Sequence, residues 1–245
     1  MSQGDLVAHR GYPYRYPENS LAGVQAALAA GARYVEVDVQ LSRDGLPLLF
    51  HDRDLRRLCH RPGAVHDYEW RQLQTFTLYG AADQPLQLAQ APLAALSDLA
   101  AVIKTAPAAY FFIELKRLAV AQFGAAAVVD AVLPILQPVV GQCCIISYNL
   151  PALQQVRQRS ALPIGVVIDD WAGRTDPAIV ELQPEFLFCN LASLPDEPVQ
   201  LPGARLVVFE TVDPGQARRL MAQGVDLVET FAIGEMRRQL GLAGA

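Results

Sequence analysis

Short apolar segments recur along the chain, and helical segments separate most of them. The segment YVEVDVQL, residues 34–41, alternates strictly, with Glu36, Asp38 and Gln40 on the side opposite its valines. Such alternation is typical of a strand with one polar face, yet so many β-branched residues favour a central strand that is covered on both faces. The pattern alone leaves open whether the two carboxylates face solvent or the interior.

Nine segments have the length and composition of strands. They are residues 6–9, 34–41, 47–51, 110–116, 143–148, 164–169, 186–190, 205–211 and 225–229. Strands that alternate with helices favour a parallel α/β fold, and nine is one too many for an eight-stranded barrel. Because SRDGLP, residues 42–47, is a turn too short for a helix, we expect segments 34–41 and 47–51 to depart locally from the strand–helix alternation.

Three helices have recognisable start or stop signals. Asn19 or Ser20 can cap the first helix, whose apolar stripe ends before Gly31, and the others are expected near residues 150–160 and 214–221. Residues 53–109 form the longest stretch without a clear strand, and we predict a small insertion of helix and loop there. No Gly/Ser-rich linker or repeat is visible, so residues 1–245 are expected to form a single domain.

Composition excludes several classes of protein. Hydrophobic residues make up 52% of the chain and the net charge is −5, with no cluster of Lys and Arg, so nucleic acid is not an expected partner. The four cysteines lack metal-site spacing, and all but Cys59 lie in apolar, strand-like segments where a buried, reduced thiol is expected. Asp130, Pro134 and Pro138 interrupt the most apolar stretch, so stable membrane insertion is not expected, and no signal peptide is visible. We therefore expect a cytoplasmic protein.

Charged side chains occur on or just after several apolar strands. They are His9, Arg10, Glu36, Asp38, His51, Glu114 and Lys116. In a parallel α/β barrel the carboxyl ends of the strands form one mouth, so these groups are expected to meet there. A buried carboxylate must be paired or must bind a metal ion, and oxygen ligands without thiolates suit Mg²⁺ or Ca²⁺. Two histidines suit acid–base catalysis, and Arg10 with Lys116 suits a phosphate, so the set indicates metal-assisted phosphoryl chemistry. The remaining histidines, His60 and His66, are expected to be structural.

These residues lie in motifs that resemble those of the glycerophosphodiester phosphodiesterase family. AHRGYPYRYPENS, EVDVQLSRDGLPLLFHD and IELK correspond to the HRG, PENT, E-x-D, HD and E-x-K elements of that family. IISYN and TVDPGQARRLMAQGVD resemble its later elements more loosely. The final strand reads VETF where the family commonly ends in I-T-D, so Phe231 replaces an acid and Glu229 appears nearby. Asp213 replaces the Asn of the T-V-N element.

The resemblance implies a TIM barrel enzyme that binds one divalent cation, Mg²⁺ or Ca²⁺, and hydrolyses glycerophosphodiesters to glycerol 3-phosphate and an alcohol. By position, it implies that the metal ligands are Glu36, Asp38 and Glu114, and that the acid–base pair is His9 and His51. It also implies that Arg10 and Lys116 contact the phosphate, while Glu18 and Asn19 shape the metal and phosphate site. Such an enzyme belongs to glycerol and lipid metabolism. The alternatives are a lysophospholipase D-like or phospholipase C-like enzyme acting on lipids, a non-catalytic barrel that binds phosphorylated metabolites, and a metal-dependent aldolase or isomerase barrel.

Overall fold

Eight parallel strands close into a barrel in the computed structural model, which describes residues 4–80 and 90–242. The strands of the described chain are β1 (Asp5–Ala8), β2 (Tyr34–Leu41), β3 (Pro47–Leu49), β4 (Thr77–Tyr79), β5 (Gln90–Pro92), β6 (Tyr110–Leu115), β7 (Cys143–Ser147), β8 (Ile164–Ile168), β9 (Phe186–Asn190), β10 (Arg205–Phe209) and β11 (Leu227–Thr230). Around the barrel the order is β1, β2, β6, β7, β8, β9, β10 and β11, and β1 pairs with both β11 and β2. The predicted α/β barrel is confirmed.

Helices connect most of the barrel strands. They are α1 (Leu21–Ala29), α2 (Arg56–Cys59), α3 (Trp70–Leu73), α4 (Leu96–Lys104), α5 (Arg117–Phe123), α6 (Ala125–Leu136), α7 (Leu150–Arg159), α8 (Pro177–Leu182), α9 (Pro214–Gln223) and α10 (Ile233–Leu240). Ser20 caps α1 by accepting a hydrogen bond from the Gly23 amide at 3.1 Å. Gly224 ends α9 with a φ of 109°, a backbone conformation that favours glycine. These ends agree with the predicted start and stop signals.

The surplus ninth strand lies outside the barrel. β3 pairs with β2 in the antiparallel direction, with Leu49 opposite Val39. The connecting turn is tight, because the Ser42 amide donates to the Leu46 carbonyl at 3.0 Å and Gly45 has a φ of 81°. A chain that reverses within so few residues cannot complete a helical crossover, so the strand returns antiparallel.

The insertion between β3 and α4 differs from the prediction of helix and loop alone. Its described part contains α2 and α3, but it also contains a two-stranded antiparallel sheet formed by β4 and β5. Residues 81–89, between these strands, lie outside the described part. The insertion has its own small apolar core, in which Leu58, Leu73 and Leu78 are fully buried. The prediction missed the two strands because each has only three residues, which is too short to show alternation.

The two faces of the barrel strands have different surroundings. Val35, Val37 and Val39 of β2 belong to the core between the strands and the helices. The opposite faces point into the barrel, where Phe112 and Phe188 pack at 5.0 Å between ring centroids. These rings fill the barrel interior, as is usual for this architecture.

One helical stretch, Ala125–Gln142, is long and apolar enough by composition to cross a membrane, with a mean hydropathy of 1.5 over 18 residues. Its α6 part buries Val128, Val129 and Val132 within the protein and contains Pro134. A core helix of a barrel has the same composition. The expectation that the chain is not stably inserted in a membrane stays a prediction.

Candidate active site

Charged residues from three strands and three loops surround one small pocket at the carboxyl ends of the strands. The pocket has a volume of about 160 Å³, and its lining includes His9, Arg10, Glu36, His51, Glu114, Lys116 and Glu229. His9 and Arg10 follow β1, while Lys116 follows β6 and His51 lies two residues after β3. Because parallel strands end at the same rim, residues far apart in sequence converge there, as predicted.

The carboxylates of β2 and β6 point into the barrel rather than into solvent. Glu36 and Asp38 are 1% and 0% exposed, and Glu114 is 8% exposed. Asp38 lies directly opposite Glu114 in the parallel pairing of β2 with β6. The interior orientation settles the ambiguity of the alternating pattern, since both faces of β2 are buried.

The three carboxylates have different electrostatic environments. Burial raises the pKa of Glu36 well above its ordinary value, and the charges of Asp38 and Glu229 add to this rise. Burial also raises the pKa of Glu114, although Lys116 opposes the effect. For Asp38 burial acts in the same direction, but Lys116 and Arg10 outweigh it and lower the pKa well below its ordinary value. Asp38 is therefore the carboxylate that keeps its negative charge most firmly.

Two cations offset part of this negative charge. Lys116 Nζ lies 3.0 Å from Asp38 Oδ1 and 3.1 Å from Glu114 Oε1. Arg10 Nε lies 3.3 Å from Asp38 Oδ2, and the Arg10 backbone amide donates to Glu36 Oε2 at 3.0 Å. The pKa of Lys116 is raised because these carboxylates outweigh its burial, so both cations stay charged.

The carboxylate cluster has the character of a site for a hard cation. Glu36, Asp38 and Glu114 each offer an oxygen within 4.8 Å of the others. Glu36 Oε1, Asp38 Oδ1 and Glu114 Oε1 are buried without a hydrogen bond among the described residues, although Lys116 is near the last two. Buried acceptors in native proteins are normally satisfied, so three buried carboxylates with such oxygens, each able to offer one ligand atom to a common position, fit a bound divalent cation.

His51 is held from two sides. Its Nδ1 lies 2.9 Å from Asp52 Oδ1, a contact that directs Nε2 towards the pocket when Nδ1 carries the proton. The segment that carries it is tied to β2 by Gln40, whose Nε2 donates to the carbonyls of Phe50, His51 and Asp52 at 3.1, 3.2 and 2.7 Å. Gln40 is 1% exposed, and the sequence pattern had assigned it no role.

His9 has a carboxylate partner that the sequence analysis did not identify. Its Nδ1 forms a short hydrogen bond with Glu210, and Glu229 Oε2 lies 3.7 Å from the same nitrogen. On the other side of the ring, Nε2 lies 3.7 Å from Glu36 Oε2. Phe231 stacks on the imidazole with 4.8 Å between centroids and an angle of 15°. Burial lowers the pKa of His9, and the hydrogen bond to Glu210 offsets part of that fall.

Glu18 and Asn19 lie behind the pocket and support its residues without lining it. The Asn19 side chain donates to Asp38 Oδ2 at 2.8 Å and accepts from the Asp38 amide at 3.0 Å. Glu18 accepts from Arg10 at 3.0 Å and from Arg57 of α2 at 2.8 Å. Arg57 also donates to Asp52 at 2.6 Å, so the insertion braces the loop of His51. The predicted role of Glu18 and Asn19 in shaping the metal and phosphate site stays a prediction.

Glu210 and Arg57 were not identified from the sequence, Glu229 was noticed without a role, and the three differ in the signal they carry. Glu210 comes directly after the apolar segment RLVVF, and Glu229 lies within the short apolar strand β11. An acid at the end of an apolar barrel strand is the same signal that identified Glu36 and Glu114. Arg57 lies in the insertion, and its role depends on tertiary contacts that no local pattern reveals. The remaining histidines behave as expected: His60 stacks on Tyr79 with 4.4 Å between centroids, and His60 and His66 do not line the pocket.

Solved structures share the fold of this chain. The phosphodiesterase of Oleispira antarctica, solved in complex with the product sn-glycerol-3-phosphate, superposes with a TM-score of 0.85 at 22% identity over 98% of this chain and 97% of that one. The glycerophosphodiester phosphodiesterase of Thermotoga maritima superposes with a TM-score of 0.72 at 22% identity over 99% of both chains. At this level of identity the likeness shows a common barrel.

Sequence comparison is consistent with the motifs. A glycerophosphodiester phosphodiesterase of Bacillus altitudinis is 41% identical over 69 residues, which are 28% of this chain and 28% of that protein. Human glycerophosphodiester phosphodiesterase 1 is 37% identical over 68 residues, 28% of this chain and 20% of its own length. The chain thus aligns with less than a third of either relative. The sequence profile of the glycerophosphoryl diester phosphodiesterase family, in contrast, matches residues 9–230, so the chain belongs to this family.

Proposed function

We propose that the chain is a metal-dependent phosphodiesterase that hydrolyses glycerophosphodiesters to glycerol 3-phosphate and an alcohol. The observation that carries the proposal is that one pocket of about 160 Å³ contains two histidines, each paired with its own carboxylate, beside a cluster of acids and two cations. Family membership and the glycerol 3-phosphate found in the Oleispira antarctica enzyme support the choice of substrate.

Arg10 and Lys116 bind the phosphate. Both are largely buried and positively charged, and both border the pocket. A guanidinium and an ammonium can each donate hydrogen bonds to the non-bridging oxygens, and their charge stabilises the additional negative charge of the transition state. Because both cations are already fixed by ion pairs to Asp38, little reorganisation is needed when the phosphate binds.

Glu36, Asp38 and Glu114 would hold one divalent cation, Mg²⁺ or Ca²⁺. When bound, the cation supplies Lewis-acid polarisation of the phosphate and lowers the pKa of a nearby hydroxyl. Asn19 fixes the orientation of Asp38, and the backbone amide of Arg10 fixes that of Glu36.

The two histidines transfer protons in opposite directions. His9 lines both the pocket and an adjoining groove of about 810 Å³, whereas His51 lines only the pocket. The groove, which lies between α9 and residues 190–196, gives the alcohol a route of departure. His9 therefore protonates the leaving oxygen, while His51 takes the proton of the attacking group. That group is either the glycerol 2-hydroxyl, whose cyclic phosphate product is then opened by water, or a water molecule, which gives glycerol 3-phosphate directly. The hydrogen bond to Glu210 raises the pKa of His9 against the effect of burial and so stabilises the protonated ring that gives its proton to the leaving oxygen.

The test is release of alcohol from purified protein incubated with glycerophosphodiesters, with Mg²⁺, with Ca²⁺ or with a chelator. His9→Ala and His51→Ala are each expected to lower kcat by about 10²- to 10⁴-fold, the usual contribution of a general acid or base. His66→Ala is the matched control, because His66 does not line the pocket. Activity that survives chelation, or that survives loss of both histidines, would contradict the proposal.

The assignment of the two histidines has a separate test. The more acidic the leaving alcohol of a glycerol phosphate diester is, the less its hydrolysis depends on a general acid. His9→Ala should therefore lose least activity with p-nitrophenol as the leaving group and most with a simple alkanol, while His51→Ala should lose similar activity with both. The reverse pattern would exchange the two roles.

A further inference from the structure

A groove beside the catalytic pocket has the position expected for the alcohol half of the substrate. Its volume is about 810 Å³, and it runs between α9 and residues 190–196. His9, Arg10 and Phe209 border both the groove and the pocket. A phosphodiester bound in the pocket would thus direct its leaving oxygen, beside His9, into the groove.

The groove walls are fixed by hydrogen bonds. The side chain of Gln223 on α9 donates through Nε2 to the Asp196 carbonyl at 2.8 Å. The backbone carbonyl of Gln223 accepts from the Val199 amide at 2.8 Å. Asn190 at the other end accepts from the Ala192 amide at 2.9 Å and so orders the turn of residues 191–193. A site that is already formed loses little conformational freedom on binding, which allows it to discriminate between ligands.

The chemistry of the walls favours a neutral ligand with many hydroxyl groups. Three side chains, Asn190, Gln216 and Gln223, carry amides, each of which offers donor and acceptor groups for hydroxyls. Arg219 lines the groove, is exposed, and has no ion pair with any described carboxylate. Its planar guanidinium can bridge two neighbouring hydroxyls.

Charge and aromatic content argue against the other common alcohols. Two cations, Arg10 and Arg219, and two acids, Asp196 and Glu210, line the groove, so their formal charges cancel. The protonated His9 of the proposed reaction adds one positive charge, which disfavours a cationic headgroup. Among the described residues of the lining, the only aromatic rings are those of Phe209 and His9. Recognition of a quaternary ammonium, in contrast, relies on a cage of several aromatic rings. Polar groups interrupt the apolar side chains, so the groove lacks the continuous apolar wall that an acyl chain needs.

We propose that this groove binds the alcohol half of a glycerophosphodiester and selects a polyol headgroup, such as glycerol, a cyclitol or a sugar, over choline or an acyl chain. The proposal rests on the proposed function, because the alcohol is the leaving group of that reaction. Its volume lies within the range of about 300–1,000 Å³ of sites that enclose a small molecule, and it therefore accommodates a sugar-sized headgroup.

The experiment compares kcat/KM for three substrates that release the same product, glycerol 3-phosphate. They are glycerophosphoinositol, glycerophosphocholine and the methyl ester of glycerol phosphate, which has almost no headgroup. Lysophosphatidylcholine is tested alongside by choline release. Arg219→Ala and Gln216→Ala remove groove contacts. Arg218→Ala is the matched control, because Arg218 is the neighbouring arginine on α9 but hydrogen-bonds to the Gln239 carbonyl and does not line the groove.

The wild-type protein is expected to prefer glycerophosphoinositol to glycerophosphocholine by about tenfold, which corresponds to about 1.4 kcal/mol. Arg219→Ala should lower the ratio of kcat/KM for glycerophosphoinositol to that for the methyl ester by about tenfold, and Gln216→Ala should lower it by less. Arg218→Ala should leave this ratio unchanged.

Equal kcat/KM for the three diesters, or a preference for choline or lysophosphatidylcholine, would overturn the headgroup proposal while the proposed function stands. The headgroup proposal is also overturned if Arg219→Ala and Arg218→Ala both have the same ratio as the wild type. If the folded protein hydrolyses none of the diesters with either metal ion, the proposed function itself is wrong, and the groove assignment is overturned with it.

Discussion

Replacement of Gln40 by Met would test whether a buried amide fixes the position of a catalytic histidine. The Gln40 amide nitrogen lies 2.7–3.2 Å from three consecutive carbonyls, those of residues 50–52, and the last two belong to His51 and its partner Asp52. Methionine has a similar length and volume but no donor. Gln40→Met therefore removes the tie between β2 and this segment without leaving a large cavity.

The size of the effect follows from the contacts that are lost. The amide nitrogen has two N–H groups, and a buried carbonyl left without a partner costs about 1–3 kcal/mol. We expect Gln40→Met to lower the free energy of unfolding by about 2–4 kcal/mol. If the freed segment moves His51 by about 1 Å, kcat/KM should fall by about 10- to 100-fold.

The chain supplies a matched control for this change. The Gln142 side chain has the same pattern of contacts, because its Nε2 donates to the carbonyls of Ile103, Ala106 and Ala109 at 3.3, 2.8 and 3.2 Å. These carbonyls follow α4 or lie at its end, and Gln142 does not line the catalytic pocket. Gln142→Met should therefore reduce stability but leave kcat/KM within about twofold of the wild type.

Stability would be measured by urea unfolding, and kcat/KM by glycerol 3-phosphate release well below the unfolding transition of both variants. We expect both variants to lose stability, Gln142→Met less because Gln142 is only half-buried, and only Gln40→Met to lose activity. Equal kcat/KM for Gln40→Met and Gln142→Met would refute a positioning role for Gln40. An unchanged free energy of unfolding for both would refute the stated cost of unsatisfied carbonyls.

Three further predictions concern metal binding, thiols and pH. Glu36→Gln should abolish most of the increase in Tm that a divalent cation produces. That increase corresponds to about 2.7 kcal/mol of stability at a cation concentration of 100 times Kd. A full metal-induced shift in the variant would exclude Glu36 as a ligand. Burial raises the pKa of the Cys59 and Cys143 thiols to about 12. All four cysteines are buried, so none should react with a disulfide reagent at pH 8 until the protein is unfolded. Burial acts to raise the pKa of Glu185, but hydrogen bonds from Arg157 and the Ile164 amide outweigh it, so this pKa lies below its ordinary value. The ion pair of Glu185 therefore stabilises the fold above pH about 4.5. Glu185→Gln should lose stability in thermal unfolding, and this loss should shrink as the pH falls through the folded-state pKa of Glu185.

The barrel could be predicted because its strands are long enough for their patterns to be read. β2 has eight residues with a polar residue at every second position, and β6 has six residues with Glu114 as its one charged residue in an apolar segment. The rule that parallel strands end at a common rim then brings Glu36, Asp38 and Glu114 together without further information. Strand ends were less accurate: segment 205–211 was expected as a strand, and β10 ends at Phe209.

Contacts that join distant segments could not be predicted in this way. Arg57 bonds both Glu18 and Asp52, and these three residues belong to separate loops and a short helix. An arginine in a four-residue helix has no local feature that separates it from a solvated surface charge. Gln40 is similar, since nothing in the pattern of β2 indicates that its side chain bonds to the carbonyls of residues 50–52.

The ring of His9 shows why a resemblance transfers chemistry more safely than individual residues. Where the family motif has an acid, this chain has Phe231, and its ring stacks on the imidazole of His9. The carboxylate that holds Nδ1 comes instead from Glu210, after the neighbouring strand β10, and Glu229 of β11 lies 3.7 Å from the same nitrogen. A histidine that transfers protons needs an oriented ring, and an acceptor on one nitrogen provides this wherever in the chain it originates. In this chain the His9 ring is therefore held by acids from two adjacent strands on one side and by the ring of Phe231 on its face.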